Sequence, residues 1–568
     1  MNALDRYHFW LQSPDIADDA KAELWDIKDD MSEIVERFYT ELSFGTAGLR
    51  GILGAGDNRM NVYNVRRATE GLARYLCSLP SGGERGVCIA YDSRRFSELF
   101  ARESACVLAA HGIPVYLFSA LRSVPQLSFA TRYYKCKAGI VITASHNPPE
   151  YNGYKVYWSH GGQVAPQEAD AILACIRGVE GFKTAYLPYP EAQRSGAIML
   201  IGSEVDEAYF SATLSLLLYP ELDLQKGGEL PLVYTPLHGA GYVPVTTILW
   251  RMGMTNVHVV AEQRAPDPDF PTVTAPNPED PNAFTLAFAL AEQKQADVVL
   301  ATDPDSDRLG VAIRKDDGAW AILTGNQIGS ILIYSLLSAY QKTGRLPQNG
   351  LVVKSLVSTR LADAICAHFG VALKEVLTGF RFISEEIARC EQTGEQTFLF
   401  GFEESYGFLA GGFARDKDAV CAAMLVAEAC VACRQRGMTL YALLQEVYAQ
   451  FGYFKESVKS YTLEGKAGIE RIGFAMVALR QSPPDAVAGI AVSCVTDYLK
   501  PEQTGLPRAD VLRYSLENGA WIAVRPSGTE PKLKLYIGAD AKDEAATDAL
   551  LNKLMTNMDA LLCACLYD

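Results

Sequence analysis

Residues 86–120, GVCIAYDSRRFSELFARESACVLAAHGIPVYLFSA, contain the pattern that decides the fold. The apolar runs Val87 to Tyr91 and Val115 to Phe118 have the length and composition of buried strands. Between them, Ser97 to His111 repeats apolar residues at helical spacing. Strands that alternate with helices in this way lie parallel in one sheet, with helices on its faces. The stretch therefore predicts an α/β fold.

The alternation continues to residue 142 and then repeats twice. The first set is completed by a helical pattern over Val124 to Tyr134 and a strand pattern over Gly139 to Ile142. The later sets have the same order of elements, with predicted strands over Leu232 to Thr235, Val257 to Val260, Asp297 to Ala301, Leu351 to Lys354, Lys374 to Leu377 and Thr397 to Phe402, and predicted helices over Val243 to Met252, Ala283 to Gln293, Ser358 to His368 and Phe382 to Cys390. Three related units, each with a mostly parallel sheet, are expected.

The two ends of the chain have different patterns. Asp18 to Arg37 has apolar residues at helical spacing, which predicts a polar-faced helix. Towards the other end, strand patterns over Val511 to Leu516, Trp521 to Val524 and Leu533 to Ile537 are joined by short loops, one of which is a hairpin signal. A helix over Asp543 to Leu562 follows. This region predicts a small antiparallel α+β domain.

The chain as a whole is expected to have four domains. With 568 residues it is too long for a single hydrophobic core. The patterns place the limits near residues 205, 323 and 455, which gives domains of residues 1–205, 206–323, 324–455 and 456–568.

Composition narrows the class of protein. The formal charge of -15 argues against a broad nucleic-acid or acidic-membrane surface, so no nucleic-acid or membrane partner is expected. The first residues lack the basic and apolar segments of a secretory signal, and no uninterrupted apolar run has membrane-spanning length. Thirteen scattered cysteines are typical of a reduced, cytoplasmic protein. The CxxC pair Cys430 and Cys433 lies in an apolar helical stretch, which favours a structural role over zinc or redox chemistry.

The most informative loop is TASHNP, residues 143–148, which follows the apolar run ending at Ile142. Ser145 supplies a hydroxyl, His146 an imidazole and Lys155, on the strand that follows, an ammonium group. These are the groups needed to move a phosphoryl group on and off a serine. Taken alone, the loop is equally consistent with an ordinary polar turn.

A second polar loop, DPDSDR, follows the strand pattern of the next set. Asp303, Asp305 and Asp307 present carboxylates at alternate positions, which suits Mg²⁺ or Ca²⁺. An EF-hand loop is excluded, because its sixth position would be Arg308 rather than glycine. A solvated acidic turn is the remaining alternative. With Mg²⁺ bound, the three carboxylates would leave room for a phosphate oxygen, and Arg308 would stand beside the metal as a phosphate clamp.

Three further loops combine polar side chains with one or more glycines. RPSGTEP, residues 525–531, joins two strand patterns and combines a bidentate guanidinium with two hydroxyls, which suits a phosphate. GFEESYG, residues 401–407, carries acidic and hydroxyl groups that suit sugar hydroxyls. Its paired glutamates also raise glycoside hydrolysis, but neighbouring residues in a turn usually point apart. SFGTAGLRG, residues 43–51, is glycine-rich and weaker evidence for a phosphate lip.

The order of these motifs resembles that of the α-D-phosphohexomutases across essentially the whole chain. The motifs are FGTAGLRG, TASHNPxxYNGYK, DPDSDR, GFEESYG and RPSGTEPKLK. The segments GTAGLRG, NRMN and LTGFRFI, at residues 45–51, 58–61 and 377–383, resemble the long phosphoglucomutase/phosphopentomutase branch. The resemblance implies three related mixed α/β units and a smaller C-terminal α+β domain around one central cleft.

The resemblance also implies roles for residues at the matching positions. Ser145 would carry the phosphoryl group, and Asp303, Asp305 and Asp307 would bind one Mg²⁺ together with an oxygen of that phosphoserine. His146 and Lys155 would assist as acid and base. Arg50 and Arg308 would stabilise the transferring group.

Substrate contacts are implied in the same way. The sugar and the phosphate that does not react would be bound by Glu403, Ser405, Lys417, Arg525, Ser527, Gly528 and Thr529. In shorter bacterial phosphomannomutase relatives the sugar loop contains a histidine just after the serine. Here Tyr406 and Gly407 stand instead, which weakens the case for mannose.

The activity implied is an intramolecular phosphotransferase, an isomerase that interconverts glucose 1-phosphate and glucose 6-phosphate. Glucose 1,6-bisphosphate would be its intermediate and activator. Its substrate would be a small phosphosugar, and it would act as a monomer or homodimer. The alternatives are a phosphopentomutase, a phosphomannomutase, a glucose 1,6-bisphosphate synthase and a non-catalytic sugar-phosphate binder. These alternatives differ in the shape of the sugar pocket, which sequence does not give.

Overall fold

The computed structural model describes residues 2–42, 48–80, 85–219, 228–463, 465–527 and 532–567. It forms two compact units. The first comprises Met1–Ile322, Ser384–Gln392 and Ser405–Ala432, and the second comprises Leu323–Ile383, Thr393–Glu404 and Cys433–Asp568.

The strands and helices alternate along most of the chain. The strands are β1 Gly48–Ile52, β2 Val87–Tyr91, β3 Val115–Phe118, β4 Ala138–Ile142, β5 Tyr151–Trp158, β6 Ile198–Ile201, β7 Leu232–Thr235, β8 Val257–Val259, β9 Val298–Thr302, β10 Leu309–Arg314, β11 Trp320–Ile322, β12 Gly350–Ser355, β13 Ala372–Val376, β14 Thr397–Glu403, β15 Gly407–Ala410, β16 Tyr453–Thr462, β17 Ala486–Val487, β18 Ile490–Asp497, β19 Leu512–Leu516, β20 Trp521–Pro526 and β21 Lys532–Ala541. The helices are α1 Ala3–Gln12, α2 Asp18–Asp26, α3 Met31–Phe38, α4 Val62–Ser78, α5 Ser97–Ala110, α6 Val124–Tyr133, α7 Pro166–Arg177, α8 Tyr189–Arg194, α9 Ser203–Leu214, α10 Tyr242–Arg251, α11 Ala261–Arg264, α12 Thr285–Lys294, α13 Gly325–Lys342, α14 Leu361–Phe369, α15 Phe380–Thr393, α16 Ala419–Gln435, α17 Leu440–Phe451, α18 Gly465–Gln481, α19 Pro501–Thr504 and α20 Glu544–Tyr567.

The first unit contains two mixed sheets. In the N-terminal sheet, of order β1-β5-β4-β2-β3-β6, the last four strands are parallel and β5 is antiparallel to β4 and β1. In the next sheet, of order β11-β10-β9-β7-β8, β10 is antiparallel to β9 while β9, β7 and β8 are parallel. In both sheets a parallel strand is followed by an antiparallel neighbour. The loops that carry Ser145 and the three aspartates are these strand-to-strand connections.

The second unit contains a parallel set of strands and an antiparallel sheet. Strands β13, β12 and β14 are parallel. The C-terminal sheet, of order β16-β21-β20-β19-β18-β17, is antiparallel throughout. Its core packs against α18 and α20, and residues such as Ile522 and Leu535 have no exposed surface.

Among the described residues, one helix, α20, is long and apolar enough to cross a membrane by length and composition alone. Leu554, Met558 and Leu562 on this helix are fully buried in the core of the C-terminal sheet. The core helix of a folded domain can pass the same test, and 28% of the apolar window is buried, so the helix is weak evidence for a membrane span.

The fold class predicted from the sequence is confirmed, with local corrections. The single helix expected over Asp18 to Arg37 is wrong, because α2 ends at Asp26 and α3 begins at Met31. Asp30 caps α3, with its side chain accepting a hydrogen bond from the backbone N–H of Glu33 at 3.0 Å. The sequence prediction had no counterpart for strands β1, β6, β10, β11, β15, β16, β17 and β18. The three domain limits, near residues 205, 323 and 455, stay a prediction.

Candidate active site

Ser145 lies directly beyond β4, whose residues are all buried. Its backbone has a φ of 53°, in the left-handed region that non-glycine residues rarely adopt. Thr143 helps to hold this conformation, because its hydroxyl accepts a hydrogen bond from the backbone N–H of Ser145 at 2.8 Å. Strained backbone of this kind costs about 1–3 kcal/mol and is concentrated at functional sites.

The acidic loop lies at the equivalent place, beyond β9. Asp303, Asp305 and Asp307 are all buried, and one carboxylate oxygen from each lies within 4.8 Å of the others. The Asp303 Oδ1 atom accepts hydrogen bonds from the backbone N–H groups of Asp307 at 3.2 Å and Arg308 at 3.0 Å. Gly239 lies against this loop, where a Cβ atom would be 2.4 Å from the Cα of Pro304. The chain therefore fixes the three carboxylates before any ligand binds.

The serine loop and the acidic loop are in direct contact. The Ser145 hydroxyl donates to Asp303 Oδ2 at 2.6 Å, and the Thr143 hydroxyl donates to Asp305 Oδ2 at 3.1 Å. The backbone N–H of Val124, at the start of α6, donates to the carbonyl of Asp305 at 2.9 Å. The two motifs predicted to cooperate therefore form one site within the first unit.

Two buried lysines face the carboxylates. The Lys155 ammonium group is 2.9 Å from Asp305 Oδ2 and 3.8 Å from Asp307 Oδ2. The Lys417 ammonium group is 3.1 Å from Asp307 Oδ2 and 3.0 Å from Asp416 Oδ1. Each lysine thus joins the acidic loop to another part of the unit, Lys155 from β5 and Lys417 from the segment before α16.

The pKa values of the three carboxyl groups are shifted in different directions. Burial raises the pKa of Asp303 well above its usual value, and the charges of Asp305 and Asp307 raise it further. Burial, followed by the charge of Asp305, also raises the pKa of Asp307. For Asp305 burial acts in the same direction, but the charge and hydrogen bond of Lys155, the hydrogen bond with Asp303 and the charge of Lys417 together outweigh it and lower the pKa. Such opposed shifts among neighbouring carboxylates are typical of functional sites.

The triad has the features of a cation site. The Oδ1 atoms of Asp305 and Asp307 are buried and accept no hydrogen bond from the described residues. A buried carboxylate oxygen without a partner is costly, and a divalent cation would satisfy it. Oxygen donors at this density suit Mg²⁺. Among the residues the structure describes, this is the one cluster of carboxylate, histidine or cysteine groups close enough to hold a metal.

His146 lies beside the reactive hydroxyl. Its Nδ1 atom is 3.2 Å from Ser145 Oγ. Burial lowers the pKa of this imidazole well below its usual value, and the nearby guanidinium groups of Arg308 and Arg50 lower it further. Burial and the two guanidinium groups therefore favour the neutral form of the ring.

The two predicted arginines approach the same region. On β1, Arg50 donates from Nη1 to the side-chain oxygen of Asn147, two residues after Ser145, at 3.2 Å. Arg308 forms an ion pair with Glu279 at 2.7 Å, and its Nε atom is 3.8 Å from Asp307 Oδ1. Both guanidinium groups are thus held next to the serine and acidic loops, where an anionic group would meet them.

Ser405 also belongs to the first unit. It is partly exposed, and the following residue, Tyr406, has a left-handed φ of 66°. The carbonyl of Tyr406 accepts a hydrogen bond from the backbone N–H of Leu309 at 3.1 Å, which joins this loop to the acidic one. At Gly407 a Cβ atom would lie 2.1 Å from Cδ of Lys417. Glycine at this position gives the lysine its path to Asp307.

Glu403 lies in the second unit, where it is buried and accepts a hydrogen bond from the backbone N–H of Gly379 at 2.6 Å. Its neighbour Glu404 accepts from the hydroxyl of Ser355 at 2.8 Å. The two carboxylates therefore have different partners and do not form the facing pair that glycoside hydrolysis requires.

The predicted phosphate loop is described up to Ser527, and Gly528 and Thr529 lie outside the described residues. Arg525 is at the end of β20, and the backbone N–H of Ser527 donates to the carbonyl of Lys532 at 2.7 Å. Burial raises the pKa of the Tyr536 hydroxyl, the charge of Glu404 raises it further, and Arg525 opposes both. In the second unit, Tyr536 is therefore close to both the sugar loop and the phosphate loop.

Sequence reasoning missed two residues of the site. Arg94 donates four hydrogen bonds to backbone carbonyls between Ser145 and Tyr151. Asp416 accepts from the Tyr157 hydroxyl at 2.6 Å and pairs with Lys417. A signal for Arg94 existed, because it follows β2 in a polar segment at the carboxyl end of a parallel strand, where such sheets bind ligands. For Asp416, only its position next to Lys417 gave any indication.

The CxxC pair has the structural environment that was expected. Cys430 and Cys433 are both buried on α16. Burial raises the pKa of the Cys433 thiol to about 11, which leaves it protonated and unreactive at neutral pH.

Four domain models of one protein family match successive stretches of the chain between residues 41 and 553. Models of the phosphoglucomutase/phosphomannomutase alpha/beta/alpha domains I, II and III match residues 41–181, 207–318 and 324–451, and that of the C-terminal domain matches residues 476–553. A phosphoglucomutase of Staphylococcus aureus (strain USA300) is 38% identical over 513 residues, which cover 88% of this chain and 90% of the relative.

Solved structures with the same fold are more distant in sequence. A putative phosphomannomutase from Thermus thermophilus has a TM-score of 0.68 at 24% identity, covering 92% of this chain and 99% of its own. The open form of the Paramecium phosphoglucomutase pp63/parafusin has a TM-score of 0.70 at 18% identity, covering 93% of this chain and 96% of its own. At these identities the likeness establishes the fold.

Proposed function

Because this chain belongs to the phosphoglucomutase/phosphomannomutase family, we propose that it interconverts α-D-glucose 1-phosphate and glucose 6-phosphate and carries the phosphoryl group on Ser145. The observation that carries the proposal is the 2.6 Å hydrogen bond from the Ser145 hydroxyl to Asp303, within a buried triad of carboxylates. The choice of glucose rests on the phosphoglucomutases that are 38% identical over most of the chain.

The transfer step exchanges one P–O bond for another. A sugar hydroxyl attacks the phosphorus of phosphorylated Ser145, a bond forms between that oxygen and phosphorus, and the bond from Oγ to phosphorus breaks. The bisphosphorylated sugar then returns its other phosphoryl group to Ser145. Because the transition state is loose, the protein contributes mainly alignment and charge stabilisation.

The proton of the attacking hydroxyl needs an acceptor. We assign to His146 the exchange of this proton with Ser145 Oγ, which must gain one as its bond to phosphorus breaks, because the His146 Nδ1 atom is 3.2 Å from Oγ. The Lys155 ammonium group is engaged by Asp305 at 2.9 Å and Asp307 at 3.8 Å. Lys155 would therefore hold the carboxylates and stabilise the transferring group. General acid–base catalysis contributes about 10²–10⁴-fold, so His146→Gln should lower kcat by that range.

The negative charge of a phosphoserine, close to two units, requires local cations. Arg50 and Arg308 would bind the phosphoryl oxygens. Arg308 would leave its ion pair with Glu279 to do so. One Mg²⁺ per chain, held by Asp303, Asp305 and Asp307, would neutralise part of the charge on the transferring group when bound.

Other contacts would set the position of the sugar. Glu403, Ser405 and Lys417 would bind its hydroxyls and phosphate. Arg525 and Ser527, with Gly528 and Thr529, would bind the phosphate that does not react. Arg525→Gln should therefore raise KM for glucose 1-phosphate while leaving phosphorylation of Ser145 measurable by mass spectrometry. An unchanged KM would remove Arg525 from this role.

The test of the sugar is a panel of 1-phosphates of glucose, mannose, glucosamine and ribose with Mg²⁺ and a trace of glucose 1,6-bisphosphate. The highest kcat/KM is expected for glucose 1-phosphate, and dependence on the bisphosphate is expected because it phosphorylates Ser145. A dominant activity on ribose 1-phosphate would overturn the proposal in favour of a phosphopentomutase.

The test of the phosphoserine compares two serine substitutions. Ser145→Ala should abolish turnover and incorporation of a phosphoryl group. Ser211→Ala is the matched control, because its hydroxyl donates to the carbonyl of Glu207 within α9. Full activity of Ser145→Ala would refute the carrier.

The redox state of the cysteines indicates the kind of cellular compartment in which the protein is expected. All thirteen lie in the described part of the chain as thiols rather than disulfides, which suits a reducing compartment such as the cytoplasm. Fractionation of the native cells would test this location. The chain is expected to act as a monomer or homodimer, which light scattering at assay concentration would distinguish.

A further inference from the structure

Arg94 makes an unusual set of contacts with the serine loop. Its Nη2 atom donates to the carbonyls of Ser145 and Asn147, both at 2.5 Å. Its Nη1 atom donates to the carbonyls of Pro148 at 2.8 Å and Tyr151 at 3.0 Å. A single guanidinium group thus binds four backbone oxygens along one short stretch of chain.

These contacts are made in a fully buried setting. The side chains of Arg94 and Asp92 have no exposed surface, and the Arg94 Nε atom is 3.4 Å from Asp92 Oδ2. The guanidinium group lies over the ring of Phe270, 5.0 Å from its centroid. Burying a guanidinium group is expensive unless it is paired and hydrogen-bonded, so the arrangement holds Arg94 in one position.

The contacts with Ser145 and Asn147 matter most for the chemistry. Ser145 has a left-handed φ of 53°, and its hydroxyl reaches both Asp303 and His146 from that conformation. The carbonyl that Arg94 binds belongs to the peptide unit joining Ser145 to His146. Its orientation fixes where both side chains leave the backbone.

The same segment also contacts residues 269–270. Phe270, which lies under the Arg94 guanidinium group, is fully buried, and Arg95 forms an ion pair with Asp269 at 2.6 Å. Residues 92–95 therefore bind the serine loop on one side and residues 269–270 on the other.

We propose that Arg94 is a positioning residue for phosphoryl transfer: it holds the backbone of Ser145 so that Oγ, His146 and the carboxylate triad are aligned. The inference rests on the proposed function. Arg94 does not touch the reacting atoms. A planar fork of donors is required, because a lysine ammonium group cannot span four carbonyls.

Arg94→Lys tests the requirement for the fork while keeping the charge. Misplacement of a reacting group by about 1 Å costs on the order of 10²-fold in rate. We therefore expect kcat to fall by about that factor, with KM for glucose 1-phosphate changed by less than about threefold, as expected when transition-state alignment is lost rather than substrate binding. Arg95→Gln is the matched control: it removes a neighbouring guanidinium group that is half exposed and pairs with Asp269 instead. Its kcat should equal that of the wild type.

Two further measurements separate positioning from a general structural role. Phosphorylation of Ser145 by glucose 1,6-bisphosphate, followed by quenched flow, should slow in Arg94→Lys by the same factor as kcat. In Arg94→Ala, added guanidinium ion should restore part of the rate, because it can occupy the vacated position. Phe270→Leu leaves Arg94 in place but removes the ring beneath it, and a smaller fall in kcat is expected.

The outcomes are distinct. A wild-type rate of Ser145 phosphorylation in Arg94→Lys, or equal losses in Arg94→Lys and Arg95→Gln, would overturn the inference. A rise in KM with kcat unchanged would also overturn it. If the wild-type protein itself is not phosphorylated on Ser145, the proposed function fails instead.

Discussion

The carboxylate triad predicts a specific link between Mg²⁺ and thermal stability. In the first unit, Asp307 has a buried Oδ1 atom with no hydrogen-bond partner among the described residues, and its pKa is raised by burial and then by the charge of Asp305. Ionised Asp307 therefore destabilises the metal-free protein, and bound Mg²⁺ should reverse this. The substitution Asp307→Asn removes the charge and keeps the shape of the side chain.

The size of the effect follows from ligand linkage. At a Mg²⁺ concentration about 100 times Kd, binding stabilises the folded protein by about 2.7 kcal/mol. An unfolding entropy of about 2.1 cal/mol/K per residue gives roughly 0.7 kcal/mol/K for a unit of roughly 350 residues. The melting temperature should therefore rise by about 4 °C in the wild type. In Asp307→Asn the rise should largely disappear, and the metal-free melting temperature should not fall, since like-charge repulsion is relieved.

The assay is differential scanning fluorimetry near neutral pH after chelation, with MgCl₂ added back as a titration. Asp269→Asn is the control, because Asp269 is an exposed carboxylate of the same unit, paired with Arg95 and outside the triad. It should keep the full Mg²⁺ response. An equal rise in the wild type and in Asp307→Asn would refute the assignment of the metal to this triad.

Three other substitutions test separate features. Burial raises the pKa of Glu456 from 4.5 to about 7. Between these pH values the folded protein retains a proton that the unfolded chain has lost, so the free energy of unfolding falls as pH rises. Glu456→Gln should remove up to about 3 kcal/mol of this fall, measured by urea unfolding across the same pH range. Parallel pH slopes in the two proteins would contradict it. Tyr157→Phe deletes the 2.6 Å hydrogen bond to the buried Asp416 and should lower the free energy of unfolding by about 1.5–3 kcal/mol in the same assay. An unchanged urea midpoint would mean that other hydrogen bonds compensate Asp416. Gly407→Ala places a Cβ atom 2.1 Å from Cδ of Lys417. The displaced lysine should lower kcat/KM by about 10²-fold. Wild-type kinetics would show that Lys417 adjusts to the added methyl group without loss of function.

The buried strands could be predicted closely because their sequences are unambiguous. Val87–Tyr91 and Leu232–Thr235 have the bounds that were expected, since every residue in them is buried and apolar runs of this length have few other uses. Strand β16, Tyr453–Thr462, was missed for the opposite reason. Most of its residues are partly or fully exposed, so it lacks an apolar pattern, and its pairing with β21 determines its structure.

The candidate site was predictable in its residue types and less so in its geometry. Polar loops after buried strands pointed to Ser145 and to the three aspartates, and the structure brings these loops within hydrogen-bonding distance. Their catalytic roles stay predictions. Arg94 was missed because its significance depends on contacts with residues 51 to 57 positions away, which no local pattern records.

Three loops of the first unit share a feature that sequence could not reveal. Ser145, Ser306 and Tyr406 all have positive φ angles, although glycine is the residue expected there. Such conformations persist only where the surroundings enforce them. Here the enforcing contacts include the Arg94 guanidinium group on the carbonyl of Ser145 and the backbone N–H of Leu309 on the carbonyl of Tyr406. The reactive geometry is therefore a property of the supporting contacts as much as of the motifs, and a chain with every motif intact could still lose activity through them.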